Sequence, residues 1–330
     1  LPSREGSLPY VTEHDVNDPG NLSQDILDRL PSHHADVALA RHLDGSWQDV
    51  TLGEFHAHVI AVAKGLIASG IATGDRVVLL SKTRYEWTVA DYAIWWIGAA
   101  TVPIYESSSV AQIAWILQDS GAVAAIVETD VHQERLDEAR SDVHELGQVW
   151  CLDSGAIDDI TKSGIGVSDA DLEARRAALT STTLATLIYT SGTTGRPKGC
   201  RLTHGNFRSE LGGTINLLPE LFDAEGASTL LFLPLAHVFA RIIQVGAIRT
   251  GTKLGHTADI KDLTAHLGEF QPTFVLAVPR VFEKVFNTAS TRAYANGRGK
   301  IFDRAAQTAI AYSKALDNGG PGIALRTRHR

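Results

Sequence analysis

The sequence predicts an α/β protein of mainly parallel sheets flanked by helices, and three observations carry that expectation. From about Gly74 onward, short apolar runs rich in β-branched residues alternate with segments of helical period. The runs are nearly continuous in apolar residues, as strands covered by helices on both faces require. Hydrophobic residues make up 44% of the 330 positions and charged residues 21%, enough to bury a full core without disulfides or metals.

The elements follow in order. Residues 76–80 (Arg-Val-Val-Leu-Leu) read as a buried strand and 86–98 as a helix. The stretch 87–105 is almost wholly apolar, with Asp91 as its one charge, and approaches the length of a membrane span. Asp91, Gly98 and Pro103 divide it instead into a helix buried on a sheet and a short strand, 101–104. A helix over 109–119 is capped by Ser107 to Ser109; a strand over 122–127, a helix over 131–140 and a strand over 147–152 come next. Residues 154–183 break the rhythm with Ser, Asp, Ala and Thr and hold one polar helix, 169–177. The rhythm resumes with strands at 184–189, 229–233, 252–254 and 273–277 and helices at 205–217, 238–248, 260–270 and 280–288. An amphipathic helix over 301–316 ends at Gly319-Gly320-Pro321-Gly322, before a basic tail that reads as solvated. The break suggests two α/β sheet units, 1–180 and 181–330.

Composition excludes several functions. A formal net charge of −8 offers no electrostatic footprint for nucleic acid. The two cysteines, Cys151 and Cys200, have no metal or disulfide spacing, and a reducing, cytoplasmic setting is expected. The pairs His33/His34 and His56/His58 lack a metal-site context. The first residue, Leu1, reads as a trimmed start.

One segment carries chemistry. The strand ending at Tyr189 runs into Thr190-Ser191-Gly192-Thr193-Thr194-Gly195-Arg196-Pro197-Lys198-Gly199. The glycines permit close backbone approach, so N–H groups can converge on an anion as a nest. Four hydroxyl side chains add donors, and Lys198 adds a point charge suited to phosphate. The Walker pattern is not met, because Lys198 follows Pro197 and precedes Gly199; Gly297-Arg298-Gly299-Lys300 fails the same test at Ile301. By composition alone the segment also reads as an ordinary surface turn.

The string 189–199, continued by Leu202-Thr203-His204-Gly205-Asn206, resembles the signature of the adenylate-forming superfamily of acyl-CoA synthetases, luciferases and peptide-synthetase adenylation domains. Phe232-Leu-Pro-Leu-Ala-His-Val-Phe-Ala-Arg241 resembles that family's next motif. Arg84-Tyr-Glu-Trp87, Pro103-Ile-Tyr-Glu-Ser-Ser108 and Val278-Pro-Arg-Val-Phe-Glu-Lys284 are most similar to long-chain fatty-acid–CoA ligases.

The resemblance implies an enzyme that makes acyl-AMP from ATP and a fatty acid, then acyl-CoA, with Mg²⁺ and with CoA as co-substrate. It assigns Thr190, Ser191, Gly192, Thr193, Thr194, Gly195 and Lys198 to the ATP phosphates, with Thr190 also toward the metal. It places His237 near the acyl and adenylate pocket, with Arg241 one turn on. By position alone His237 also reads as a helix-start histidine satisfied by backbone, and Arg241 equally as half of a structural ion pair. Peripheral membrane contact is compatible with an amphiphilic substrate. The family's adenine-stacking Gly-Tyr-Gly-x-Thr-Glu-like segment with its metal-binding Glu, its ribose-binding Asp and its C-terminal catalytic Lys are not among the 330 residues. The resemblance therefore implies an N-terminal portion of a ligase that is inactive alone. Two other readings stay open: adenylation of an aryl, amino or carrier-bound acid, and a non-catalytic anion- or acyl-binding module.

Overall fold

A computed structural model describes residues 20–140, 146–190, 196–222, 224–259 and 261–329. In chain order the elements are α1 (Gln24–His33), β1 (Val37–Leu43), β2 (Ser46–Thr51), α2 (Leu52–Ala68), β3 (Arg76–Leu80), α3 (Tyr85–Trp96), β4 (Ala100–Ile104), α4 (Val110–Ser120), β5 (Ala124–Val127), α5 (Asp130–Ala139) and β6 (Val149–Cys151). They continue with α6 (Ala156–Ser163), α7 (Asp169–Ala177), β7 (Leu184–Thr190), β8 (Lys198–Thr203), α8 (His204–Leu217), α9 (Pro219–Phe222), β9 (Ser228–Leu231), α10 (Val238–Thr250), β10 (Lys253–His256), α11 (Leu263–Phe270), α12 (Pro279–Ala295), α13 (Gly299–Asp317) and α14 (Ile323–His329).

The strands form two sheets. One has the order β6-β5-β3-β4-β7-β8 and is parallel except for β8, which runs antiparallel to β7. The other has the order β2-β1-β10-β9 and is parallel except for β2. The expected α/β class with mainly parallel sheets is therefore present. The boundary expected at residue 180 does not divide the sheets: β7 and β8 join β3 to β6, while β1 and β2 join β9 and β10. A polar break in sequence marks a surface connection; strand pairing is decided by which apolar faces meet, and these segments meet across the break.

Several local features follow from short-range chemistry. α4 begins with a capping box in which Ser109 accepts from Gln112 N, and it ends at Gly121 in the left-handed region. α2 begins the same way, with Thr51 and Glu54. β1 and β2 are joined by Asp44-Gly45, both at positive φ, the conformation that matches the twist of a two-residue hairpin. The strand expected at 273–277 is reduced to a single bridge, Thr229 with Phe274, anchored where Thr273 N donates to Ser228 Oγ.

α3 is buried at every position but Glu86, as a helix apolar on nearly every face requires. Its buried charge, Asp91, is answered from α10. Arg241 Nη2 donates to Asp91 Oδ1 at 2.5 Å, Arg241 Nη1 donates to Thr186 Oγ1 on β7, and Gln244 Nε2 donates to Asp91 Oδ2 at 3.0 Å. Thr88 donates to Gln244 Oε1 and meets His256 Nε2 of β10, both at 2.8 Å, so one buried polar network reaches both sheets. Among the described residues no helix is long and apolar enough to cross a membrane.

Residues 277–329 form a separate helical unit, distinct from the sheets. Within it α12 and α13 pack through Phe286 and Phe302, whose rings lie 5.2 Å apart. α12 and α13 occur where helices were expected, but Ile301 and Leu316 of the predicted apolar face are 70% and 52% exposed.

Candidate functional site

In sequence the glycine- and threonine-rich segment connects β7 to β8. Ser191, Gly192, Thr193, Thr194 and Gly195 lie outside the described residues, so the anchors on either side define the site. Thr190 pairs with Lys198 and Tyr189 with Gly199, which sets the two limbs opposite each other. Both Thr190 and Lys198 are exposed at the strand ends.

α4 holds both limbs. Asp119 accepts from Tyr189 Oη at 2.6 Å, and Trp115 Nε1 donates to Pro197 O at 2.9 Å. Trp115 and Asp119 are four residues apart, so they share a helix face, and each grips a different limb. Arg196 stacks its guanidinium 4.6 Å over the Trp115 ring. Gly199 lies where a Cβ would meet the Tyr189 ring at 3.1 Å, which explains a glycine opposite that tyrosine. Burial, and then the Asp119 hydrogen bond, push the Tyr189 phenol above its usual range, so it acts as a fixed donor rather than as an acid.

Beside the hairpin is a cavity of about 330 Å³. Its wall includes Tyr189, Thr190 and Pro197 from the hairpin, Gln112 and Ile116 from α4, Tyr105 and Ser108 from the segment before α4, and His237 and Val238 at the start of α10. The structure thus brings Thr190 and His237 to one cavity. His237 is exposed and is also the N-cap of α10: its Nδ1 accepts from Phe239 N at 3.3 Å. The two sequence readings of this residue are compatible. An Nδ1 that accepts from backbone leaves the proton of a neutral ring on Nε2, so His237 can offer an N–H donor.

Arg241 requires a correction. It is 0% exposed, bonded to Asp91 and Thr186, and stacked 5.1 Å from the Trp95 ring and 5.3 Å from the Trp87 ring. It does not line the cavity. One helical turn separates it from His237, but on α10 that turn leads from the cavity rim into the core. Burial pushes its guanidinium below and Asp91 above their usual ranges, and the contact between them opposes both shifts.

A magnesium ion at Thr190 would find one hydroxyl oxygen, since no carboxylate belongs to the described cavity wall. That suits a cation completing its shell from phosphate and water, not one held in a protein cage. The contributions of Trp115 and Asp119 were missed in the sequence, although their spacing on a well-capped helix was visible. Glu106, singled out within a motif, is engaged through its carbonyl, which accepts from Arg135 Nη1 at 3.0 Å.

Comparisons with known proteins bear on the family and the fold. The model of a family described as AMP-binding enzyme matches residues 28–316. Long-chain-fatty-acid–CoA ligase FadD15 of Mycobacterium bovis is 48% identical over 332 aligned residues, which cover 99% of this chain and 54% of that ligase. The chain spans about half the length of these curated relatives. Among solved structures, the inhibitor-bound N-terminal domain of FACL13 from Mycobacterium tuberculosis superposes with a TM-score of 0.67 at 23% identity, covering 80% of this chain and 64% of that one. O-succinylbenzoate Coenzyme A synthetase (MenE) from Bacillus subtilis, in complex with AMP, gives 0.65 at 21% identity and covers 82% and 64%. At those identities the likeness shows the fold.

Proposed function

Because the chain belongs to the AMP-binding enzyme family, we propose that it provides the phosphate- and acyl-handling side of an ATP-dependent long-chain fatty-acid–CoA ligase. The observation that carries this is the β7–β8 hairpin, with Thr190 facing Lys198 at its mouth and a cavity shared by Thr190 and His237 beside it. The reaction has two steps. A carboxylate oxygen attacks the α-phosphorus of ATP, forming an acyl–phosphate bond as the bond to pyrophosphate breaks. The CoA thiol sulfur then attacks the acyl carbon and AMP leaves.

In the first step negative charge builds on the departing pyrophosphate. Lys198 and the Thr190 hydroxyl supply positive charge and a donor there, joined by the backbone and hydroxyls of Ser191, Gly192, Thr193, Thr194 and Gly195. Mg²⁺, with Thr190 as its protein ligand, neutralises part of the phosphate charge when bound. His237 Nε2–H orients the attacking carboxylate, and Ile116, Ile188 and Val238 offer apolar wall to the first carbons of the acyl chain. The identity of 48% with a long-chain ligase supports this substrate class. A cytoplasmic enzyme that touches membranes at their surface suits such a substrate.

The test is acyl-CoA formation and ATP–pyrophosphate exchange by the complete gene product over a panel of long-chain, aryl and amino acids. Long-chain acids should be preferred, and Lys198→Ala should lower exchange by about 100-fold, the usual effect of removing one donor to developing charge. Preference for an amino or aryl acid, or an unchanged rate in Lys198→Ala, would contradict the assignment.

A further inference from the structure

Away from the hairpin, β1 and α11 bring together three side chains that the proposed reaction does not use. His42 is on β1; His266 and Glu269 are three residues apart on α11 and so share one face of that helix. One ligand atom from each lies within 4.8 Å of the other two. His42 Nε2 is 3.6 Å from Glu269 Oε2, and the two imidazole rings are 4.4 Å apart at their centroids. We propose that His42, His266 and Glu269 bind a divalent transition-metal cation of the zinc type, which ties α11 to the four-stranded sheet.

The donor set selects the ion. Two imidazoles and one carboxylate are zinc-type ligands, whereas calcium and magnesium demand oxygen. Zinc sits about 2.0–2.2 Å from such atoms, which in a tetrahedral array places them about 3.3 Å apart. The His42–Glu269 separation is already close to that, so small side-chain rotations complete the triangle.

The surroundings favour the same use. Thr257 Oγ1 lies 2.7 Å from His266 Nδ1, which fixes the ring and leaves Nε2 as the ligand atom. Trp47 stands edge-on to both imidazoles, 5.3 Å from His42 and 5.4 Å from His266, and limits their rotation. A cavity of about 230 Å³ borders both histidines; on its wall the carboxylates of Glu86, Glu128, Asp259 and Asp262 outnumber the guanidinium groups of Arg41 and Arg84, leaving a cation an entry and space for a water as fourth ligand. This cavity shares no wall residue with the one at Thr190 and His237. The role is thus a clip between β1, where His42 is held in the ladder opposite Trp47, and a helix half of whose residues are exposed.

The test is calorimetric titration of Zn²⁺ into the tag-free 330-residue chain, with Co²⁺ absorption as a readout of geometry. One equivalent should bind, Co²⁺ should give tetrahedral visible bands, and the unfolding midpoint should rise with added zinc. His266→Ala should abolish the site. Glu269→Gln, at a half-exposed side chain that leaves the fold intact, and Thr257→Val should each weaken binding at least tenfold. Absence of zinc binding by the wild-type chain, or an affinity unchanged in Glu269→Gln and His266→Ala, would overturn the proposal.

Discussion

Arg241→Met isolates the charge of the buried pair, because methionine keeps most of the packing among Trp87, Trp95 and Phe207. Asp91 would keep its hydrogen bonds from Thr101, at 2.6 Å, and Gln244, at 3.0 Å, but would lose its counter-charge in a site with 0% exposure. Removing one partner of a buried pair costs about 3–5 kcal/mol. Protonation of Asp91 sets a ceiling. Neutralising a carboxyl of ordinary pKa 3.8 at neutral pH costs about 1.4 kcal/mol for each of roughly three pH units, or about 4 kcal/mol. The expected loss is therefore about 3–4 kcal/mol at pH 7, falling by about 1.4 kcal/mol at pH 6. Urea unfolding followed by tryptophan fluorescence reads it directly, since Trp87 and Trp95 contact the guanidinium. With a slope of about 3 kcal/mol per molar urea, the midpoint should fall by about 1 M. Asp91→Asn combined with Arg241→Met removes both charges and keeps one acceptor, for Thr101, while the amide nitrogen replaces the oxygen that accepts from Gln244, so it should recover part of the loss. A single variant within about 1 kcal/mol of wild type and insensitive to pH would refute the reasoning, as would a double variant less stable than the single one.

Two further outcomes follow from the same structure. Burial, reinforced by Arg208 and Arg241, lowers the pKa of His204 to about 3, and burial lowers that of His256 to about 4. Their neutral forms belong to the fold, so the stability they contribute is present above the unfolded pKa of 6.5 and is lost as pH falls toward 4; each should cost about 2 kcal/mol between pH 6.5 and 5, and His204→Gln should flatten that slope in urea titrations at stepped pH. Tyr189→Phe removes the charge-assisted hydrogen bond to Asp119 and should destabilise the chain by about 1.5–3 kcal/mol, while Asp119→Asn should cost less; equal stability of Tyr189→Phe and wild type in urea unfolding would show that α4 does not hold the hairpin through this contact.

Much of the fold was legible because its signals are local. The buried strands 76–80 and 101–104, the capped helix after Ser109 and the division of the apolar stretch at Gly98 all follow from patterns within a dozen residues. The N-terminal hairpin carried an equally local signal, Asp44-Gly45 between strand-like runs, that the rhythm from Gly74 onward did not include. The strand Lys198–Thr203 had weaker cues. It is short, polar and half exposed, and only its pairing with β7 makes it a strand.

The sequence by itself determined the α/β class and the family, because strand and helix periods and an eleven-residue string are properties of neighbouring residues. Tertiary structure alone decided which strands share a sheet, that Trp115 and Asp119 hold the hairpin, and that His42 meets His266 and Glu269 across more than two hundred positions. It also separated His237 from Arg241. They are one turn apart on the same helix, and only the packing of α10 against α3 puts the histidine at a cavity and the arginine against Asp91.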